Sequence, residues 1–123
     1  MAMASEDYRF LLRNDFYSFM HRSFAELNPS TSFLNNWHLE VIAAKLDAAR
    51  RGKIKRLIIN LPPRGAKSHC ASIALPAFWH GHDPAAQILC VSYSQDLSEK
   101  FSRDTRSVMR ADWYKATFRT RLA

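Results

Sequence analysis

Acidic side chains, cysteine and glycine are scarce in this 123-residue chain, which has 11 Asp and Glu, 2 Cys and 3 Gly. No apolar run approaches the roughly 20 residues that cross a bilayer, which excludes a membrane-spanning helix and points to a soluble chain without a membrane partner. The opening MAMASEDYRF carries acidic residues and a helical amphipathic pattern where a secretory signal carries basic residues and an apolar block, so the expected location is cytoplasmic. Cys70 and Cys90 fit no metal-ligand spacing and fall in apolar segments, where buried, reduced thiols are expected. His80 and His82 flank Gly81 with no further ligand at metal spacing, so no metal site is expected there. There is no internal repeat and no low-complexity stretch.

Basic residues are plentiful. Eighteen Lys and Arg leave a formal charge of +7, a balance that favours polyanionic partners such as nucleic acid and equally fits a basic, unspecialised surface. At 47% hydrophobic and 24% charged residues, the composition is that of one globular domain at most.

Apolar spacing predicts a helix over residues 5–27, started by Ser5, Glu6 and Asp7, with Leu12, Phe16, Phe19, Met20, Ser23 and Leu27 on one face. After a polar stretch, Leu39, Ile42, Leu46 and Ala49 mark a second helix closed by Gly52. Residues 57–61 and 88–93 are short, unalternating apolar runs of the kind found in parallel strands buried on both faces. Between them a helix is expected over residues 67–79, and Ser94 caps another that runs to about Met109. The expected fold is therefore α/β: a parallel β-α-β-α core preceded by two helices, with residues 1–36 as N-terminal helix and linker and residues 37–123 as the core-forming part.

In that arrangement residues 61–68, LPPRGAKS, sit at the carboxyl end of a strand, where open α/β sheets hold ligands. A Walker A loop, G-x-x-x-x-G-K-S/T, works because backbone amides cradle phosphate oxygens, a lysine reaches the β and γ phosphates and a hydroxyl holds magnesium. Lys67 and Ser68 match the pattern, whereas Leu61 and Ala66 replace both glycines, with Gly65 next door and Arg64 as a second cation. The residues admit two readings, an atypical phosphate loop or an ordinary turn into a helix.

The segments WHLEVIAAKLDAARRGKIKRLIINLPPRGAKS, ASIALPAFWHGHDPAAQILCVSYSQDLSEKFSRDTRSVM and DWYKATF, in one order from Trp37 to Leu122, resemble the N-terminal ATPase region of the large terminase subunits of tailed bacteriophages. That family often has Pro-Pro-Arg, two variable positions and Lys-Ser in its loop. The resemblance implies a P-loop NTPase that binds ATP and Mg2+ to translocate double-stranded DNA, with a nuclease in the intact protein. Its implied partners are a small terminase subunit, a portal and further copies of itself, in a bacterial host cell with a phage or prophage gene. Carried over by position, Lys67 and Arg64 take the catalytic roles, the Gly65 and Ala66 amides cradle oxygens, Ser68 ligates magnesium, and Trp37 and His38 lie in the segment that seats the base. Arg103, Arg106 and Arg110, spaced i, i+3 and i+7, are candidates for contact with DNA or a neighbouring subunit; a solvated face partly paired through Glu99 is the competing account. The cluster Arg50, Arg51, Lys53, Lys55 and Arg56 is read the same two ways.

Hydrolysis also needs a second-strand carboxylate for magnesium, yet residues 88–93 lead into Ser94 and no Asp-Glu pair follows an apolar strand. The nuclease carboxylates are missing as well, so a truncated, hydrolytically incomplete product is expected. Alternative functions are a non-enzymatic basic adaptor that binds nucleic acid or a subunit, and a piece of another P-loop translocase or helicase.

Overall fold

The computed structural model describes residues 5–30, 37–60 and 69–122. Helix α1, Ser5–Asn14, is followed after one residue by α2, Phe16–Leu27. The expected single helix is broken at Asp15, which adopts an extended conformation (φ −115°, ψ 106°) and caps α2 by accepting from the Ser18 amide at 3.3 Å and the Ser18 hydroxyl at 2.6 Å. The apolar face survives the break: Leu12, Phe16, Phe19, Met20 and Ser23 are all buried.

Helix α3, Trp37–Arg50, buries Leu39, Ile42, Ala43 and Leu46. It ends in a turn whose Gly52 has φ +81°, a conformation open to glycine and costly for side chains with a Cβ. A six-residue π-helical turn, His69–Ala74, leads directly into α4, Leu75–His82. Pro76 accounts for the widened turn, because it has no N–H to give to the Ser72 carbonyl and its ring crowds that oxygen. The Thr105 hydroxyl, which donates to the Phe101 carbonyl at 2.9 Å, lies 3.4 Å from the Ser72 carbonyl. Helix α5, Gln95–Arg110, begins at Ser94, whose Oγ accepts from the Leu97 amide at 3.3 Å.

Helix α6, Asp112–Thr117, was not anticipated from the sequence. Tertiary contacts hold it: Trp113 Nε1 donates to Glu26 at 2.9 Å, Arg22 lies 4.9 Å from the Trp113 ring centre, and the buried Tyr114 hydroxyl donates to the Ala77 carbonyl at 2.7 Å. Helix α2 is central and packs against α1, α3, the π turn, α4 and α5. Its Phe16 and Phe19 meet Phe78 of α4 and, from Phe19, Tyr114 and Phe118 in an aromatic cluster with ring centres 5.1–6.1 Å apart.

The parallel β-α-β-α core is overturned. Among the described residues there is no strand, and residues 57–60 and 88–93 form neither helix nor ladder. A strand acquires its backbone hydrogen bonds only from a neighbour, and neither short run finds one among the described residues, while the helices close an aromatic core without a sheet. Leu57 and Ile59 lie against that core, but Ile58, Leu89, Val91 and Tyr93 are 84–96% exposed.

Candidate functional site

The phosphate-loop candidates Arg64, Gly65, Ala66, Lys67 and Ser68 lie outside the described residues. The structure does define what flanks them: an irregular apolar stretch at residues 57–60 and, after Ser68, a helical turn that includes His69–Ala74. His69 is fixed by a contact that nothing local in the sequence announces, since its partner is 46 positions away. Ser23 is fully buried on α2; its hydroxyl donates to the Met20 carbonyl at 2.9 Å and its oxygen lies 3.0 Å from His69 Nε2. With the Ser23 proton committed to Met20, the imidazole N–H donates to Ser23 Oγ, with a longer approach of 3.4 Å to the Met20 carbonyl. The Phe24 ring stands edge-on at 5.4 Å. Burial holds the His69 pKa below its ordinary value, against smaller opposing effects from the Met20 carbonyl and Asp104. A neutral, hydrogen-bonded imidazole thus pins the residue that follows Ser68 to α2, a positioning role.

Trp37, expected near a base, opens α3 and is 74% exposed, with its ring edge-on to His38 at 6.1 Å. Ser94 is committed to capping α5 through its oxygen.

The arginine stripe is better defined. Arg103, Arg106 and Arg110 all lie exposed on α5, and none has an ion-pair partner among the described residues. Glu99 does not pair with Arg103 and its Oε1 accepts from Gln95 at 3.0 Å; Lys100 pairs with Asp104 at 2.7 Å. The three guanidinium groups are exposed, with no ion-pair partner among the described residues. The other basic cluster divides: Arg50 and Arg51 both bind Asp47, at 2.9 and 3.1 Å, and Arg50 also covers the Phe78 ring, whereas Lys53, Lys55 and Arg56 are exposed.

A cleft of about 580 Å3 between the ends of α1, α4 and α6 is lined by Arg13, His82 and Arg119. Arg13 and His82 are engaged without a ligand, because helix ends expose carbonyls. Arg13 Nε donates to the Thr117 carbonyl at 3.0 Å, His82 Nε2 donates to the Arg13 carbonyl at 2.6 Å, and the Thr120 hydroxyl donates to the His80 carbonyl at 2.7 Å. The described residues contain no group of His, Cys, Asp and Glu able to hold a metal ion, and no helix long and apolar enough to cross a membrane.

The two cysteines part company, which corrects one expectation. Cys70 is fully buried, and burial pushes its thiol up to about 11, but Cys90 is exposed. Thiolate is the reacting form, so iodoacetamide at pH 8 is expected to modify one thiol per folded chain. Peptide mapping should place the label on Cys90, and Cys90→Ser should abolish it; rapid labelling of Cys70 would contradict the packing of the π turn.

Compared with known proteins, the chain has no significant match to any protein family, curated protein or solved structure.

Proposed function

We propose that this chain carries ATP-binding elements of a DNA-packaging terminase large subunit, the part of the motor that couples ATP to movement of double-stranded DNA. The observation that carries the reading is the string LPPRGAKS in its setting: an apolar stretch before it and helical residues from His69 onward after it. A phosphate cradle needs amides at a helix start together with a lysine and a hydroxyl, and Lys67 and Ser68 supply the latter two. Lys67 would reach the β and γ phosphates, Ser68 would ligate magnesium, and Arg64 would add a second cation. The proposal does not invoke a parallel sheet.

It stops at nucleotide binding. Magnesium in a hydrolytic site also needs a carboxylate across from the loop, and at the end of residues 88–93 stand Ser92 and the capping Ser94. Binding of Mg-ATP measured by calorimetry is expected to weaken at least about tenfold in Lys67→Ala, the effect of deleting one charge-assisted contact. ATP affinity that is absent, or unchanged by the substitution, would remove the reading.

A second reading, a basic adaptor for nucleic acid, is favoured by the unpaired Arg103, Arg106 and Arg110 on α5. It is distinguished by duplex binding that falls steeply with salt, loses about 0.9 of the log–log slope for each arginine contact removed, and ignores both ATP and Lys67→Ala.

A further inference from the structure

A small pocket of about 280 Å3 lies where the π turn, α5 and residues 88–90 meet. Its floor is apolar, with Pro76 buried and Ile88 and Phe101 half-buried. Ser98, Ser102 and Arg106 border it at i, i+4 and i+8 of α5, a single line along one side of the helix, and Ser72 borders it from the π turn. A hydroxyl inside a helix commonly donates to the carbonyl four residues back. Thr105, Ser107 and Thr117 do so, at 2.9, 3.0 and 2.7 Å. The Ser72, Ser98 and Ser102 hydroxyls make no such bond, nor any other among the described residues. Arg106 is exposed, without an ion-pair partner among the described residues, and no Asp or Glu lines the pocket.

We propose that this pocket binds a compact organic monoanion, a carboxylate carried on a small apolar body. Each part of the lining has a counterpart in such a ligand. The Arg106 guanidinium offers two parallel N–H groups, the fork that a carboxylate accepts. The three unpaired hydroxyls donate to its oxygens or to a polar substituent, while Pro76, Ile88 and Phe101 cover the apolar body. Charge selects among anions: one cation and no acid line the pocket, which matches a carboxylate and leaves half the charge of a phosphate monoester uncompensated. Size selects as well. A volume of about 280 Å3 falls just under the roughly 300–1,000 Å3 of drug-sized sites, which suits a single ring or a short branched chain. The pocket is separate from residues 61–68, so it rests on neither reading of the function.

Cys90 borders the pocket and is exposed, so its alkylation by the neutral reagent iodoacetamide, read by peptide mapping, reports occupancy. Sodium benzoate at about 20 mM is expected to slow labelling of Cys90 about threefold, the protection given by a weak site with a Kd of about 10 mM. Benzamide, of the same shape without the charge, should protect little, and phenyl phosphate no better than benzoate. Arg106→Gln should abolish the protection by benzoate with helical circular dichroism unchanged. Arg103→Gln, on the same helix but outside the pocket, and Lys67→Ala should both keep it. Absent protection, equal protection by benzamide, stronger protection by phenyl phosphate, or benzoate protection that survives Arg106→Gln or is lost equally in Arg103→Gln would each overturn the proposal.

Discussion

Phe19→Ala is expected to lower the unfolding free energy by about 3–5 kcal/mol, seen as an earlier urea midpoint with little change in slope. The ring is fully buried on α2. It lies 5.1 Å from the Phe78 ring centre, 5.5 Å from Trp113, 6.1 Å from Tyr114 and 6.0 Å from Phe118. These partners come from α4, α6 and the residue after α6, so one truncation loosens three separate parts of the chain. Tilted and edge-on aromatic pairs add about 0.5–1.5 kcal/mol each beyond area, and the surrounding rings are themselves too constrained to refill the space. Against a net stability of about 5–15 kcal/mol for an ordinary domain, the loss is large enough to leave an appreciable unfolded population. A change below about 1 kcal/mol would mean that this cluster is not the centre of the core.

Gly81→Ala should also destabilise, against the sign that helix propensity gives. Gly81 lies inside α4, where alanine is better than glycine by about 1 kcal/mol. A Cβ built there would lie 2.6 Å from Phe118 Cδ1 and 2.7 Å from Cγ, well inside contact distance. The atom next to Cβ is the base of the ring, not a free end, and the ring is held by Phe78 at 6.0 Å, Tyr114 at 5.0 Å and His82 at 5.3 Å. Overpacking typically costs 1–3 kcal/mol, so the expected net change is a loss of about 1–2 kcal/mol and a melting temperature several degrees lower. Gly81→Ala combined with Phe118→Leu should recover part of it, since sites in contact are not additive. A higher melting temperature for Gly81→Ala alone would show that α4 and the end of α6 do not meet as described.

The helices were legible where their signals are local. Ser94 caps α5, Gly52 takes the left-handed conformation after α3, and the face traced by Leu12, Phe16, Phe19 and Met20 is the buried one. The break at Asp15 had a local signal too, an Asp followed three residues later by Ser, but it sits inside an apolar periodicity that runs unbroken across it. Helix α6 had a weaker one, Asp112 ahead of Tyr114 and Phe118 at i, i+4. Lys67 and Ser68 were singled out because a phosphate-loop motif is a pattern of neighbours, and they lie outside the described residues. The Ser23–His69 pair that fixes the next residue was not legible, because nothing in the chain near either residue refers to the other.

By itself the sequence determined the caps at Ser94 and Gly52, the apolar faces of the helices and the excess of positive charge, because each is set by composition or by residues within a turn or two of one another. Only the tertiary structure decided whether the apolar runs at 57–60 and 88–93 would be strands, whether Cys90 would be covered and what would hold His69. The physical reason is the same in each case: a ladder, a buried thiol and a satisfied imidazole are properties of the partner as much as of the residue, and the partner is chosen by the packing of the whole chain.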